Sequence, residues 1–173
     1  MHKILLYTLL SSTAIVLVYY PGLSGGFILD DISNILHPLG IRMDVLSWDN
    51  LKNAALSMDK RPLARASFGL NYLTSGFDPF YFKAINIAIH GINSSLVFAF
   101  VLLLLRHQNQ VRNCSENTSR VIFIAAAISL GWALHPINLT NVLYSVQRMN
   151  SLSALFVLAG MLSYIKGRIG LDV

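Results

Sequence analysis

The chain has a single cysteine, Cys114, which rules out an internal disulfide framework and says nothing strong about redox compartment. It is also poor in charge: Asp, Glu, Lys and Arg make up 12% of the residues, and there are 8 acids against 13 Lys and Arg. The basic excess gives a net charge of +5 and a pI of about 9.6. Those residues are scattered and form no run, which argues against nucleic acid and for anionic lipid headgroups. Internal repeats and low-complexity tracts are absent. No pair among His37, His90 and His135 has metal-ligand spacing, so metal chemistry is disfavoured.

What the chain does have is apolar sequence, at 54% of residues with a mean hydropathy of +0.57, well outside the range of soluble domains. Four runs stand out, at residues 4–20, 80–105, 121–134 and 142–165. A bilayer core of roughly 30 Å needs about 20 helical residues, so the second and fourth are ample, the first adequate and the third short. The third is expected to borrow residues 117–120 or the His135-Pro136 step, with Arg120 reaching the interface. The fold class expected is therefore an all-helical membrane bundle in a single domain. The first run also reads as a signal peptide, but it exceeds the usual apolar core of one and no Ala-x-Ala-like site follows, which favours an uncleaved anchor.

Orientation follows from Lys and Arg. The short 106–120 segment carries three arginines against one acid, and the tail carries Lys166 and Arg168, which predicts both termini in the cytoplasm and residues 21–79 outside. Asn113-Cys114-Ser115 and Asn117-Thr118-Ser119 match a glycosylation pattern, but on this topology they face the wrong side and read as chance matches. The outer loop is not a polar linker. Residues 48–58 read as a short amphipathic helix begun by Ser47 or Asp49, and residues 65–73 as another, ending before the Gly76-Phe77-Asp78-Pro79 turn. Two adjacent acids, Asp30 and Asp31, lie about ten residues beyond the first run.

Four blocks in order resemble a known family: 26–31 (Gly-Phe-Ile-Leu-Asp-Asp), Arg61-Pro62 with 67–72 (Ser-Phe-Gly-Leu-Asn-Tyr), 79–81 with Asn86, His90, Asn93 and Ser94, and 132–136 (Trp-Ala-Leu-His-Pro) with Gln147-Arg148 and Leu155-Phe156. Each block is weak alone, but their order covers nearly the whole chain. The chain resembles the bacterial relatives of the transmembrane and tetratricopeptide-repeat O-mannosyltransferases, within the GT-C glycosyltransferase superfamily. The resemblance implies an enzyme in a bacterial inner membrane that transfers a sugar, with inversion, from a polyprenyl-phosphate donor to an acceptor hydroxyl on the outer face. Members of that superfamily have more helices, so the chain is expected to be an N-terminal portion, inactive unless a companion chain completes it.

Chemistry supplies roles for the residues. A hydroxyl is a poor nucleophile at neutral pH and needs a base within reach; Asp30 or Asp31 is the candidate, and neighbouring carboxylates are expected to raise each other's pKa. The alternative is that one of them caps a short helix over residues 32–36. A departing lipid phosphate needs cations, for which Arg61, Arg65 and Arg148 are the candidates, since the guanidinium fork suits phosphate. Headgroup contact competes for Arg61 and Arg65, and snorkelling for Arg148. Asn86, His90, Asn93 and Ser94 fall on one helical stripe that is expected to face protein, and Asn86 and His90, with His135 and Gln147, are candidates for lining a cavity. For the stripe, interhelical hydrogen bonding is the competing role. No cofactor is called for, with a divalent cation left as an open alternative. A second function class is a small helical membrane partner that docks through this stripe; an ion or solute pathway ranks last for want of pore-lining charge.

Overall fold

The computed structural model describes residues 2–58, 60–111 and 117–171, so Cys114 and the Asn113-Cys114-Ser115 site lie outside the described residues. Helices dominate: α1 (His2–Tyr19), α2 (Trp48–Ala55), α3 (Pro62–Ser75), α4 (Pro79–Val111), α5 (Thr118–Ala133), α6 (Leu139–Leu143) and α7 (Arg148–Leu171). Among the described residues there is no strand. Three helices are long and apolar enough to cross a membrane, over Ile4–Ser24, Pro79–Val111 and Ser145–Ile169. A fourth candidate is a bent pair, Thr118–Ala133 and Pro136–Leu143, which meet at 49°.

The third apolar run does start early, at Thr118, where the Asn117 side chain accepts from Ser119 N at 2.9 Å. It then breaks at His135-Pro136, as a proline without an N–H requires. The fourth run departs from expectation. Residues 139–147 form a short helix and a 3-10 turn before α7 begins at Arg148, and this irregular stretch holds several backbone groups free for the site described below.

Three apolar clusters follow one another along α4. At its C-terminal half, Phe98 and Leu102 pack with Tyr7, Val121 and Ala125. In its middle, Ile87 packs with Ile15, Tyr19, Leu23, Ala133 and Val142. At its start, Phe82 joins Ile35, Ile41, Ala64, Phe68, Val146 and Met149, so the segment between α1 and α4 closes over the helix ends. Fully burying a residue such as Phe68 or Ile35 stabilises by about 1.5–3 kcal/mol relative to exposure, enough to hold the loop down.

Local signals in the loop match its sequence. Ser47 caps α2, its Oγ accepting from Asn50 N at 3.1 Å, which is typically worth about 1 kcal/mol. The helix ends at Ala55 instead of 58, and α3 begins at Pro62, earlier than the apolar pattern indicated, because proline is favoured at a first helical position. Gly76 has φ +59, a left-handed conformation that lets α3 stop and α4 begin three residues later.

Candidate functional site

The site begins where α1 runs out. A 3-10 turn, Tyr20–Ser24, follows it, and the buried Lys83 of α4 donates from Nζ to Gly22 O at 3.1 Å and Gly25 O at 2.6 Å. A Cβ at Gly25 would lie 2.8 Å from that ammonium, so a larger residue there would make the lysine side chain shift. The chain then extends to Leu29, which has φ +44. A non-glycine residue in that region costs about 1–3 kcal/mol and persists only where surrounding contacts impose it.

The two acids that follow part company. Asp31 is fully buried; its Oδ1 accepts from Val146 N at 2.7 Å and its Oδ2 from Ile28 N at 3.2 Å. Asp30 is exposed, and its carboxylate has no partner among the described residues. Only its backbone is held: Asp30 N donates to Tyr144 Oη at 2.7 Å, and Asp30 O accepts from Ser33 Oγ and from Asn34 Nδ2. Neither acid caps the following turn, Ile32–Leu36, since Asp31 at its N-cap position reaches back to Ile28.

Burial pushes the Asp31 carboxyl above the usual aspartate range, and hydrogen bonds from Val146, Ile28 and Ser145 and the charge of Lys83 only partly offset it. Mutual repulsion with Asp30, the cause expected from sequence, is not what raises it. The native state therefore keeps this proton to higher pH than the unfolded chain, and stability falls as pH rises from the ordinary carboxylate range through the raised value. Melting curves across acidic pH are expected to show that slope in the natural chain and lose it in Asp31→Asn. An unchanged slope would assign it to another group.

Asn34, which donates to the Asp30 carbonyl, also lines a cavity of about 640 Å³ together with Leu56, Ser57, Met58, Lys60, Arg61, Arg65 and Met149. Among the described residues its lining carries three cations, Lys60, Arg61 and Arg65, and no acid. Arg61 is exposed, holds φ +63 at the start of α3, and donates to Met149 Sδ at 3.1 Å. Arg65, one turn on, is 2% exposed. It donates from Nη1 to Asn34 O at 2.9 Å and from Nη2 to Asn34 Oδ1 at 3.1 Å, with the Met58 sulfur also against Nη2. Its Nε has no hydrogen-bond partner among the described residues. Burial, and next the charge of Arg61, loosen its hold on its proton, so an anion here would relieve both penalties. Arg61 and Arg65 thus meet on one cavity.

Arg148 lies elsewhere. It is fully buried, with Nε on Asn86 Oδ1 at 2.9 Å, Nη1 on Ser67 O at 3.1 Å and Oγ at 3.4 Å, and Nη2 on Asn71 Oδ1 at 2.7 Å and Phe82 O at 2.8 Å. The guanidinium sits over the rings of Phe68 and Phe82, 4.8 and 5.3 Å from their centroids. Its donors are spent on protein acceptors, so the geometry gives it a structural position outside the lining of that cavity, and it does not snorkel.

The α4 stripe faces protein as its spacing indicated: Asn86, His90, Asn93 and Ser94 are all buried. Asn86 Nδ2 donates to Tyr144 O at 3.2 Å and Ser145 O at 3.4 Å, and Asn93 Nδ2 to Ser151 O at 2.9 Å. His90 Nε2 lies 2.8 Å from Ala133 O, which fixes that nitrogen as the donor. The stripe is filled by α5 and the residues around α7, so it leaves no polar face for docking. His135 is exposed and its Nδ1 accepts from Ile137 N at 3.2 Å, capping a 3-10 turn, while Gln147 pairs with Asn150; neither lines the cavity.

Asn34, Lys83 and Tyr144 were not singled out as site residues from sequence. Lys83 had a signal, a charge one turn into an apolar helix, where a buried partner is the rule. Asn34 and Tyr144 had none, because their roles depend on contacts between distant segments.

No family model matches the chain, and no solved structure matches it. Among characterised proteins it is 31% identical over 160 residues to protein O-mannosyl-transferase TMTC3 of Homo sapiens, covering 87% of this chain and 16% of that protein. It is 28% identical to TMTC1 of Mus musculus, over 86% of this chain and 15% of the relative, and 31% identical to TMTC4 of Homo sapiens, over 82% and 20%. The chain thus spans about one sixth of the length of the first two. Its homologues are the TMTC protein O-mannosyl-transferases, matched over most of this chain and a minor part of each of theirs.

Proposed function

We propose that this chain is a membrane-embedded part of a sugar transferase that moves a sugar from a polyprenyl-phosphate donor to an acceptor hydroxyl, with inversion, outside the membrane. The observation that carries this is an exposed, unpartnered carboxylate, Asp30, tied through Asn34 to a cavity lined by Lys60, Arg61 and Arg65. Asp30 takes the acceptor proton as the new C–O bond forms at the sugar's anomeric carbon. The bond from that carbon to the phosphate oxygen breaks, and the polyprenyl phosphate leaves with the electron pair, its charge met by the cavity cations. Asp31 holds the loop in place. No cofactor is assigned to the step.

The apolar helices and the relatives support a multi-pass location, and the Arg and Lys placement supports both termini in the cytoplasm, in a bacterial inner membrane on the resemblance given above. Further helices, from the same polypeptide or a companion chain, close the lipid cavity in this reading. Nucleic acid has no part in it. A small membrane partner docking through the α4 stripe is the weaker alternative, since that stripe is filled internally.

Farnesyl phosphate, a short polyprenyl phosphate, tests the cavity directly. The protein in nanodiscs is expected to bind it more tightly than farnesol, and Arg61→Gln or Arg65→Leu is expected to weaken binding by about 10- to 100-fold, the worth of one charge-assisted hydrogen bond. Lys166→Gln, at the other end of the bundle, should have no effect. Equal affinity for farnesol and farnesyl phosphate would remove the phosphate assignment.

A further inference from the structure

We infer that Asn34 is a positioning residue through which occupancy of the cation-lined cavity fixes Asp30 in place; this rests on the proposal that the cavity takes a phosphate. Asn34 is the only described residue hydrogen-bonded to both Arg65 and Asp30. Its amide orientation is forced. Arg65 has donors alone, so Oδ1 must face it, and Asp30 O is an acceptor, so Nδ2 must face that. Arg65 therefore grips both the backbone and side-chain oxygens of Asn34, and Asn34 grips the peptide of the proposed base.

The state of Arg65 gives this link something to transmit. Its end-on pair of N–H groups goes to Asn34, while along the side edge, among the described residues, Nε has no partner and Nη2 has beyond Asn34 only the thioether of Met58. A thioether is a weak acceptor. A phosphate oxygen pair fits that edge, displaces the sulfur and leaves the Asn34 contacts in place. The guanidinium is then held on both edges, and the Asn34 to Asp30 hydrogen bond becomes part of a fixed network. Without the anion, the orphaned Nε leaves Arg65 held from one side only.

By linkage, a ligand that fixes Asp30 through Asn34 changes the accessibility of position 30 only while that amide is present. The test uses the full chain in nanodiscs with Cys114→Ser, which removes its one cysteine, and Asp30→Cys as a reporter whose backbone still accepts from Asn34. Saturating farnesyl phosphate is expected to slow reaction of the Asp30→Cys thiol with a charged thiosulfonate at least threefold. Asn34→Asp keeps an acceptor for Arg65 and loses the donor to Asp30. Its added negative charge is expected to weaken farnesyl phosphate binding, so each variant is saturated separately; at saturation it is expected to show no protection, with Asn34→Leu likewise unprotected.

Simple shielding by the ligand would protect the thiol equally in all three, which would overturn the inference, as would binding without protection in the parent. Failure of the parent to bind farnesyl phosphate at all would remove the phosphate assignment and this inference together.

Discussion

Replacing Arg148 with Met is expected to lower stability by about 3–5 kcal/mol, the usual result of breaking a buried charged network by removing one partner. In melting temperature that is on the order of 10 °C for a chain of this size. The reason is the number of groups left behind. Asn86 Oδ1, Asn71 Oδ1, Ser67 O and Phe82 O all accept from this one guanidinium, and methionine donates to none of them. These acceptors come from α3 and α4, so Arg148 joins both helices to the first turn of α7. Arg148→Lys is expected to recover little of the loss, because one ammonium with three donors cannot span acceptors placed for a planar fork. Thermal unfolding in detergent reads this out. A shift within 2 °C for Arg148→Met would show that the network adds nothing to stability.

The second large effect falls on chemistry. Asp30→Asn leaves the backbone contacts to Tyr144, Ser33 and Asn34 intact and removes only a carboxylate that the fold does not use. Sugar transfer per molecule is expected to fall by about 10²- to 10⁴-fold, the range for loss of a general base, with normal protein level. Asp31→Asn has the opposite profile. One end of the new amide must present N–H to the N–H of Ile28 or Val146, which opens the loop and lowers the amount of folded protein. Transfer and membrane abundance measured together in cells carrying any completing chain separate the two. Equal transfer by Asp30→Asn and the natural chain would exclude Asp30 as the base.

Much of the fold was legible because apolar run length and proline placement act locally. The long α4, the early start of α5 at Thr118 and the break at His135-Pro136 all follow from such signals. The buried stripe of α4 was legible too, since four polar residues on one helical face must find protein. Residues 142–147 were misjudged: hydropathy alone continues the helix there, but the peptide groups of Tyr144, Ser145 and Val146 are drawn off to Asn86 and Asp31. The separation of Asp30 from Asp31 was not legible. It depends on the left-handed turn at Leu29, which no residue preference announces, and on Lys83 holding Gly22 and Gly25. Arg148 was recognised as unusual from its depth in an apolar run, but its partners Ser67 and Asn71 lie a four-residue helical step apart on α3, and only tertiary packing brings them to it.

Whether a polyprenyl-phosphate sugar sits in the cation-lined cavity tied to Asp30 through Asn34 is tested most directly by photocrosslinking. A polyprenyl-phosphate mannose carrying a diazirine near the phosphate would be added to membranes containing the protein and its completing helices, and adducts mapped by mass spectrometry. Adducts are expected on the peptides bearing Met58, Arg61 and Met149, to be competed by farnesyl phosphate and to persist in Asp30→Asn. Adducts confined to the lipid-facing residues of α1, α5 and α7, unaffected by farnesyl phosphate, would contradict the proposed site.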